Sequence, residues 1–155
     1  MKLKRVMLVI LSLIVIILLV NILKKDIWDK NADLLKEKVL SIDETRVNVN
    51  LSEITPFDWD TVYTFSPYTS TQNIYNTVGY KWDTISETVN EGMNQIVFMK
   101  DGKVVCYIYG YPVNNGYGIS FRDDEYKNGA IKLNNNKNLD FKVERKDDVI
   151  FLIQS

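Results

Sequence analysis

QIVFMKDGKVVCYIYGY, the stretch Gln95–Tyr111, decides the fold. Two apolar runs, Ile96–Met99 and Val104–Tyr109, flank Lys100-Asp101-Gly102-Lys103. Asp-Gly is a favoured two-residue type I′ turn because both central residues tolerate positive φ. The stretch therefore reads as a β-hairpin. Alternation in its second arm sets Tyr107, Tyr109 and Tyr111 on one face and Val104, Cys106 and Ile108 on the other.

More strands are expected on both sides of the hairpin. Arg46–Leu51 alternates Val47, Val49 and Leu51 with polar residues, the period of a half-buried strand, and Thr55-Pro56 breaks it. Thr61–Phe65 is β-branched and aromatic and reads as another. Beyond Pro112 and Asn114-Asn115-Gly116, strands are predicted at Tyr117–Phe121, Leu139–Arg145 and Val149–Ile153, with a short one at Ala130–Leu133. Asp147-Asp148 reads as the turn joining the last two, and Lys142, Arg145 and Lys146 as a solvated edge that discourages pairing.

Helical signals lie ahead of the hairpin. Trp28, Ala32, Leu35, Val39 and Ile42 recur on one face of a 3.6-residue period, widened by Ile27 and Leu34. Ser70–Gly79 fits a short helix, with Ser70 or Thr71 as N-cap and Gly79 at its C-terminal end. The sum is α+β: an N-terminal transmembrane helix, then one or two helices and a mainly antiparallel β-sheet, with no alternating βαβ pattern.

The membrane helix is read from the start of the chain. Lys2, Lys4 and Arg5 precede an apolar run from Val6 to Leu23, broken only by Ser12 and Asn21. Eighteen residues make about 27 Å of helix, close to a hydrocarbon core of roughly 30 Å. No small-x-small cleavage site and no nearby Cys follows, so an uncleaved anchor is expected; the alternative is a secreted protein after signal cleavage. The positive-inside count places the N-terminus in the cytoplasm, with Lys24 and Lys25 at the outer headgroups. This divides the chain into an anchor, 1–25, and one extracytoplasmic domain, 26–155.

Composition excludes several function classes. All 20 acidic residues but only 14 of the 19 basic ones lie from Asp26 onward, a net charge of −6, which argues against nucleic-acid binding. There is no histidine and one cysteine, Cys106, so Ser-His-Asp and Cys-His catalysis, His-based zinc sites and thiolate clusters are ruled out. No cofactor or metal is expected. Cys106 shares its face with apolar residues and reads as a buried small hydrophobe.

Three segments are candidates for function. In Pro56–Ser70, Asp58 and Asp60 share one side of an extended segment while Trp59 faces the other. Such a pair serves acid–base chemistry when burial splits the two pKa values; otherwise the aspartates satisfy loop amides. Tyr107, Tyr109 and Tyr111 form a stripe able to stack on sugar rings or anchor a protein, or simply a sheet surface. Arg122-Asp123-Asp124-Glu125 reads as a solvated turn.

Phe57, Trp59, Asp60, Val62, Tyr63, Phe65, Pro67, Tyr68 and Thr69 make the pattern F-x-W-D-x-V-Y-x-F-x-P-Y-T. It resembles a motif of small uncharacterised bacterial secreted or membrane-anchored proteins and covers about a tenth of the chain. The resemblance implies a location and a scaffold, not an activity.

The leading expectation is a membrane-anchored extracytoplasmic domain with a non-enzymatic binding or envelope-accessory role. Asp58, Trp59, Asp60, Tyr107, Tyr109 and Tyr111 are its candidate binding residues, and an envelope protein or polysaccharide is its candidate partner. The alternatives are a carboxylate-dependent enzyme acting on an envelope polymer, and a sensor or accessory subunit of a membrane complex.

Overall fold

A computed structural model describes residues 7, 10–14, 25–82, 84–122, 126, 128–137 and 139–155. From residue 25 onward, the elements in chain order are α1 (Ile27–Leu40), β1 (Asn48–Asn50), α2 (Leu51–Ile54), β2 (Thr61–Phe65), α3 (Thr71–Val78), β3 (Asn94–Lys100), β4 (Lys103–Gly110), α4 (Pro112–Asn115), β5 (Tyr117–Ser120), β6 (Ala130–Asn134), β7 (Asp140–Lys146) and β8 (Val149–Gln154). The chain is α+β with mainly antiparallel pairing. The strands form two four-stranded sheets rather than one, ordered β4-β3-β2-β6 and β1-β7-β8-β5.

Both predicted hairpin turns form by the expected chemistry. Asp101 and Gly102 sit at φ 49° and 72°, and Asp147 and Asp148 at φ 50° and 62°. Positive φ at both central residues matches the turn to the right-handed twist of its strands. Helix α3 also ends as read: Ser70 Oγ accepts from the Asn73 N–H at 3.3 Å, and Gly79 closes the helix at φ 75°. The strand expected at Arg46–Leu51 is shorter. Asn50 Oδ1 accepts from the Ser52 N–H at 3.0 Å, so it caps α2 and Leu51 starts a helical turn; Val47 is exposed.

One core lies between the sheets. Val62, Ile96, Phe98, Cys106, Ile108, Ile131 and Leu133 of the first sheet meet Val49, Tyr117, Ile119, Phe141, Val143, Ile150 and Leu152 of the second, with Leu35 and Val39 of α1. A second core covers the outer face of the first sheet. There Tyr63, Phe65, Val97, Met99 and Val104 pack under Ile74 and Val78 of α3 and under Trp82.

A β-bulge in β4 divides its residues between these cores. Phe98 pairs with Cys106 but Met99 pairs with Val104, which leaves Val105 as the extra residue. Val104 therefore lies in the outer core, whereas Cys106 and Ile108 lie in the inner one. Strict alternation had put all three together; the bulge breaks the phase.

The open edge of β4 also corrects the reading of α1. Its stripe of Trp28, Ala32, Leu35, Val39 and Ile42 packs as expected, but Ile27 and Leu34 are exposed and polar Asn31 is buried. Asn31 Nδ2 donates to the Val105 carbonyl at 2.8 Å, satisfying a group that points off the open edge of β4.

One strand pair departs from the antiparallel majority, and one further expectation differs. β5 runs parallel to β8, because the chain leaves the second sheet after β5, adds β6 to the first, and returns. β7 is an interior strand between β1 and β8, not an edge. Lys142 pairs with Glu144 across 2.9 Å, Arg145 Nη2 donates to the Ile42 and Asp43 carbonyls at 3.1 and 2.8 Å, and Lys146 is exposed.

The expected membrane helix falls largely outside the described residues. Met7 and residues 10–14 are helical, and no helix among the described residues is long and apolar enough to cross a membrane.

Replacing Asn31 with Ala leaves the part-buried Val105 carbonyl without its side-chain donor. The expected loss of stability is about 1–3 kcal/mol, read from urea unfolding of the purified protein. A loss within error of zero refutes the role assigned to this bond.

Candidate functional site

The Asp58–Asp60 segment is tied to backbone. Asp60 Oδ2 accepts the Asp101 N–H of the hairpin turn at 2.9 Å, and the Asp60 carbonyl accepts the Asn135 N–H at 3.1 Å. Trp59 is 4% exposed; its Nε1 donates to Thr55 Oγ1 at 2.8 Å and its ring meets Phe98 edge-on at 5.2 Å. Asp58 is exposed. The pair does not converge in a cleft, and no three potential metal-ligating His, Cys, Asp or Glu side chains cluster among the described residues. Residues 123–125 of the acidic run lie outside the described residues.

Tyr107 and Tyr109 do project from one face of β4, stacked at 6.0 Å, but their hydroxyls turn back onto the chain. Tyr107 Oη accepts the Ser86 N–H at 3.2 Å, and Tyr109 Oη donates to the Glu87 carbonyl at 2.8 Å. Gln95, fully buried, joins this network through Nε2 to the Ser86 carbonyl. Burial is the main cause of the raised Tyr107 pKa. Together these bonds fasten segment 84–93, which has no regular structure before β3. Tyr111 lies past the strand, half-buried, and heads α4, where its carbonyl accepts from the Asn114 and Asn115 amides at 3.0 and 3.1 Å. The three rings therefore do not form one continuous free stripe.

Glu87 holds the same segment to α3. Its Oε1 accepts from both the N–H and the Oγ1 of Thr71, each at 2.8 Å. These two bonds, the backbone one first, hold its carboxyl below its usual 4.5. Cys106 is fully buried, and burial pushes its thiol pKa far up, so it is protonated and inert.

The convergence of chemistry lies on the other side of the tyrosines. α1 runs beside β4, and between them opens a cleft of about 200 Å³ lined by Ala32, Asp33, Lys36, Tyr107, Ile108, Tyr109, Asn115 and Tyr117. β4 is the edge strand of its sheet. Its Val105 carbonyl points outward to Asn31, and its Tyr109 carbonyl points outward to Asn115 Nδ2 at 3.2 Å. Ladder alternation then turns the N–H and C=O of Tyr107 to the same edge. Among the described residues no side chain and no loop backbone bonds them.

Asp33 and Lys36 stand at the rim, and Asp33 Oδ2 already accepts the Lys25 ammonium at 2.5 Å. Tyr117 forms the floor, 3% exposed, with its hydroxyl pKa raised chiefly by burial. Sequence reasoning reached Tyr107 and Tyr109 but missed Asp33, Lys36, Asn115 and Tyr117. An acid and a base three apart on a helix look like any solvated face, and nothing local signals that β4 passes beside them.

The chain matches no protein-family model, no curated protein and no solved structure. Fold and cleft define a two-sheet α+β domain with one helix laid along a sheet edge.

The Glu87 contact has a definite pH sign. A carboxyl whose folded pKa is depressed stabilises the attachment above the unfolded value and loses it as pH falls through the folded one. The Thr71 amide resonance should therefore titrate with a midpoint below 4.5, and Glu87→Gln should abolish that titration. A midpoint at or above 4.5 contradicts the assignment.

Proposed function

We propose that this protein is a single-pass membrane protein whose domain, residues 26–155, lies outside the cytoplasmic membrane. The domain binds a ligand or partner there without chemical turnover. The observation that carries the binding role is the convergence on one cleft of an open strand edge, a carboxylate, an ammonium and an amide. Burial raises the pKa of both the Tyr107 and the Tyr117 hydroxyls that line it, away from neutrality.

The apolar run Val6–Leu23 and the basic residues before it support the location. The resemblance of the Phe57–Thr69 pattern to anchored and secreted bacterial proteins agrees. α1 starts at Ile27, leaving residues 24–26 as the link. Three residues span at most about 11 Å, so a tethered domain works at the membrane surface and not at a distance. Lys25 pairs with Asp33 across 2.5 Å, both side chains well exposed. An envelope protein or polysaccharide segment remains the partner class for the wider surface.

Cys106 is fully buried and offers no labelling background. A cysteine placed at exposed Glu53 (Glu53→Cys) should react with a membrane-impermeant maleimide in intact cells, and alkaline extraction should leave the protein in the membrane fraction. Labelling only after permeabilisation refutes the outside placement. Release by alkali refutes the anchor.

A further inference from the structure

We propose that the cleft between α1 and β4 binds a short zwitterionic peptide, about two residues long. Asp33 takes its ammonium, Lys36 its carboxylate, and the backbone edge of Tyr107 its amide. The proposal rests on the cleft being the binding site of the domain and names the ligand class.

Size sets the first limit. About 200 Å³ falls below the ~300–1,000 Å³ typical of drug-sized ligands. That volume suits one or two residues.

Backbone chemistry sets the second. An open strand edge offers a donor and an acceptor side by side, the complement of a peptide unit. On β4 that offer is confined to Tyr107, because Asn31 takes the Val105 carbonyl and Asn115 takes the Tyr109 carbonyl. The two asparagines stop a long strand from adding to the sheet and leave room for one peptide unit between them.

Charge sets the third. Asp33 and Lys36 are one helical turn apart, about 5–6 Å between Cβ atoms. A dipeptide spans about 7 Å from its ammonium to its carboxylate, at roughly 3.3–3.6 Å per residue. The charges therefore match at both ends. The Lys25 ammonium on Asp33 Oδ2 marks where a ligand ammonium sits, and a ligand displaces it from that oxygen. The carboxylate of Asp33 and the ammoniums of Lys36 and Lys25 are the charges at the rim.

The test uses the purified full-length protein in detergent micelles, titrated with L-alanyl-L-alanine and followed through the Tyr107 and Tyr109 amide resonances. Saturable one-to-one binding that shifts the Tyr107 amide is expected, weakening as ionic strength rises because the rim is exposed. N-acetyl-alanyl-alanine amide, which lacks both charges, should bind at least about tenfold more weakly, and Lys36→Glu should cause a similar loss. Both rim side chains keep solvent contact, so an unchanged thermal midpoint should accompany Lys36→Glu; if that variant unfolds, the capped ligand still decides. Absence of a saturable Tyr107 shift, or equal binding of the capped peptide, overturns the proposal. The titration does not depend on which side of the membrane the domain occupies. Failure here with successful surface labelling removes the ligand class alone.

Discussion

The bulge at Val105 and its bond to Asn31 constrain most of what surrounds them. One extra residue in β4 reverses the facing of the side chains before it. Val104 goes to the outer core and Cys106 and Ile108 to the inner one, so a single strand serves both layers. The Val105 carbonyl points off the open edge of β4, and its donor is the buried polar side chain of α1, Asn31. That bond seats the helix along β4, with Leu35 and Val39 in the inner core. The cleft is the gap that remains where helix and strand part.

Asparagine side chains complete backbone edges elsewhere by the same chemistry. Asn94, at the start of β3, donates through Nδ2 to the Ile119 carbonyl at 3.0 Å and accepts the Ile119 N–H on Oδ1 at 3.1 Å. A primary amide presents the same donor–acceptor pair as a peptide unit, so Asn94 acts as one residue of a neighbouring strand for β5. With Asn31 and Asn115 on β4, edges of both sheets are finished by side chains and not by further strands. Unpaired edges invite aggregation, and covering them leaves only short openings. Gly118 belongs to the same arrangement: a Cβ there would lie 2.8 Å from the Pro112 ring of α4, so only glycine lets the turn lie flat on β5.

Segment 84–93 shows why aromatic residues on a strand are ambiguous in sequence. The Tyr107 and Tyr109 rings stack on each other, and Tyr107 meets Trp82 edge-on, while their hydroxyls hold the backbone of Ser86 and Glu87. A tyrosine that anchors a partner and one that anchors a loop of its own chain have the same composition and spacing. The Asp58–Asp60 pair is ambiguous for the same reason. Asp60 serves the Asp101 amide, a residue 41 positions away.

Local chemistry made much of the fold legible. The Asp101-Gly102 and Asp147-Asp148 turns, the Ser70 and Gly79 caps, the β2 strand and the apolar stripe of α1 each follow from residues a few positions apart, so the sequence by itself determined these elements and the α+β class. It also determined the net acidity, the absence of histidine and the apolar start. Tertiary structure alone decided the division into two sheets, the parallel β5–β8 pair, the bulge phase and the cleft. These depend on pairings between distant segments: Asn31 with Val105, Asn94 with Ile119, Asn115 with Tyr109. A polar side chain reads as solvated until the fold brings an unsatisfied backbone group within hydrogen-bonding distance of it, and no pattern along the chain announces that encounter.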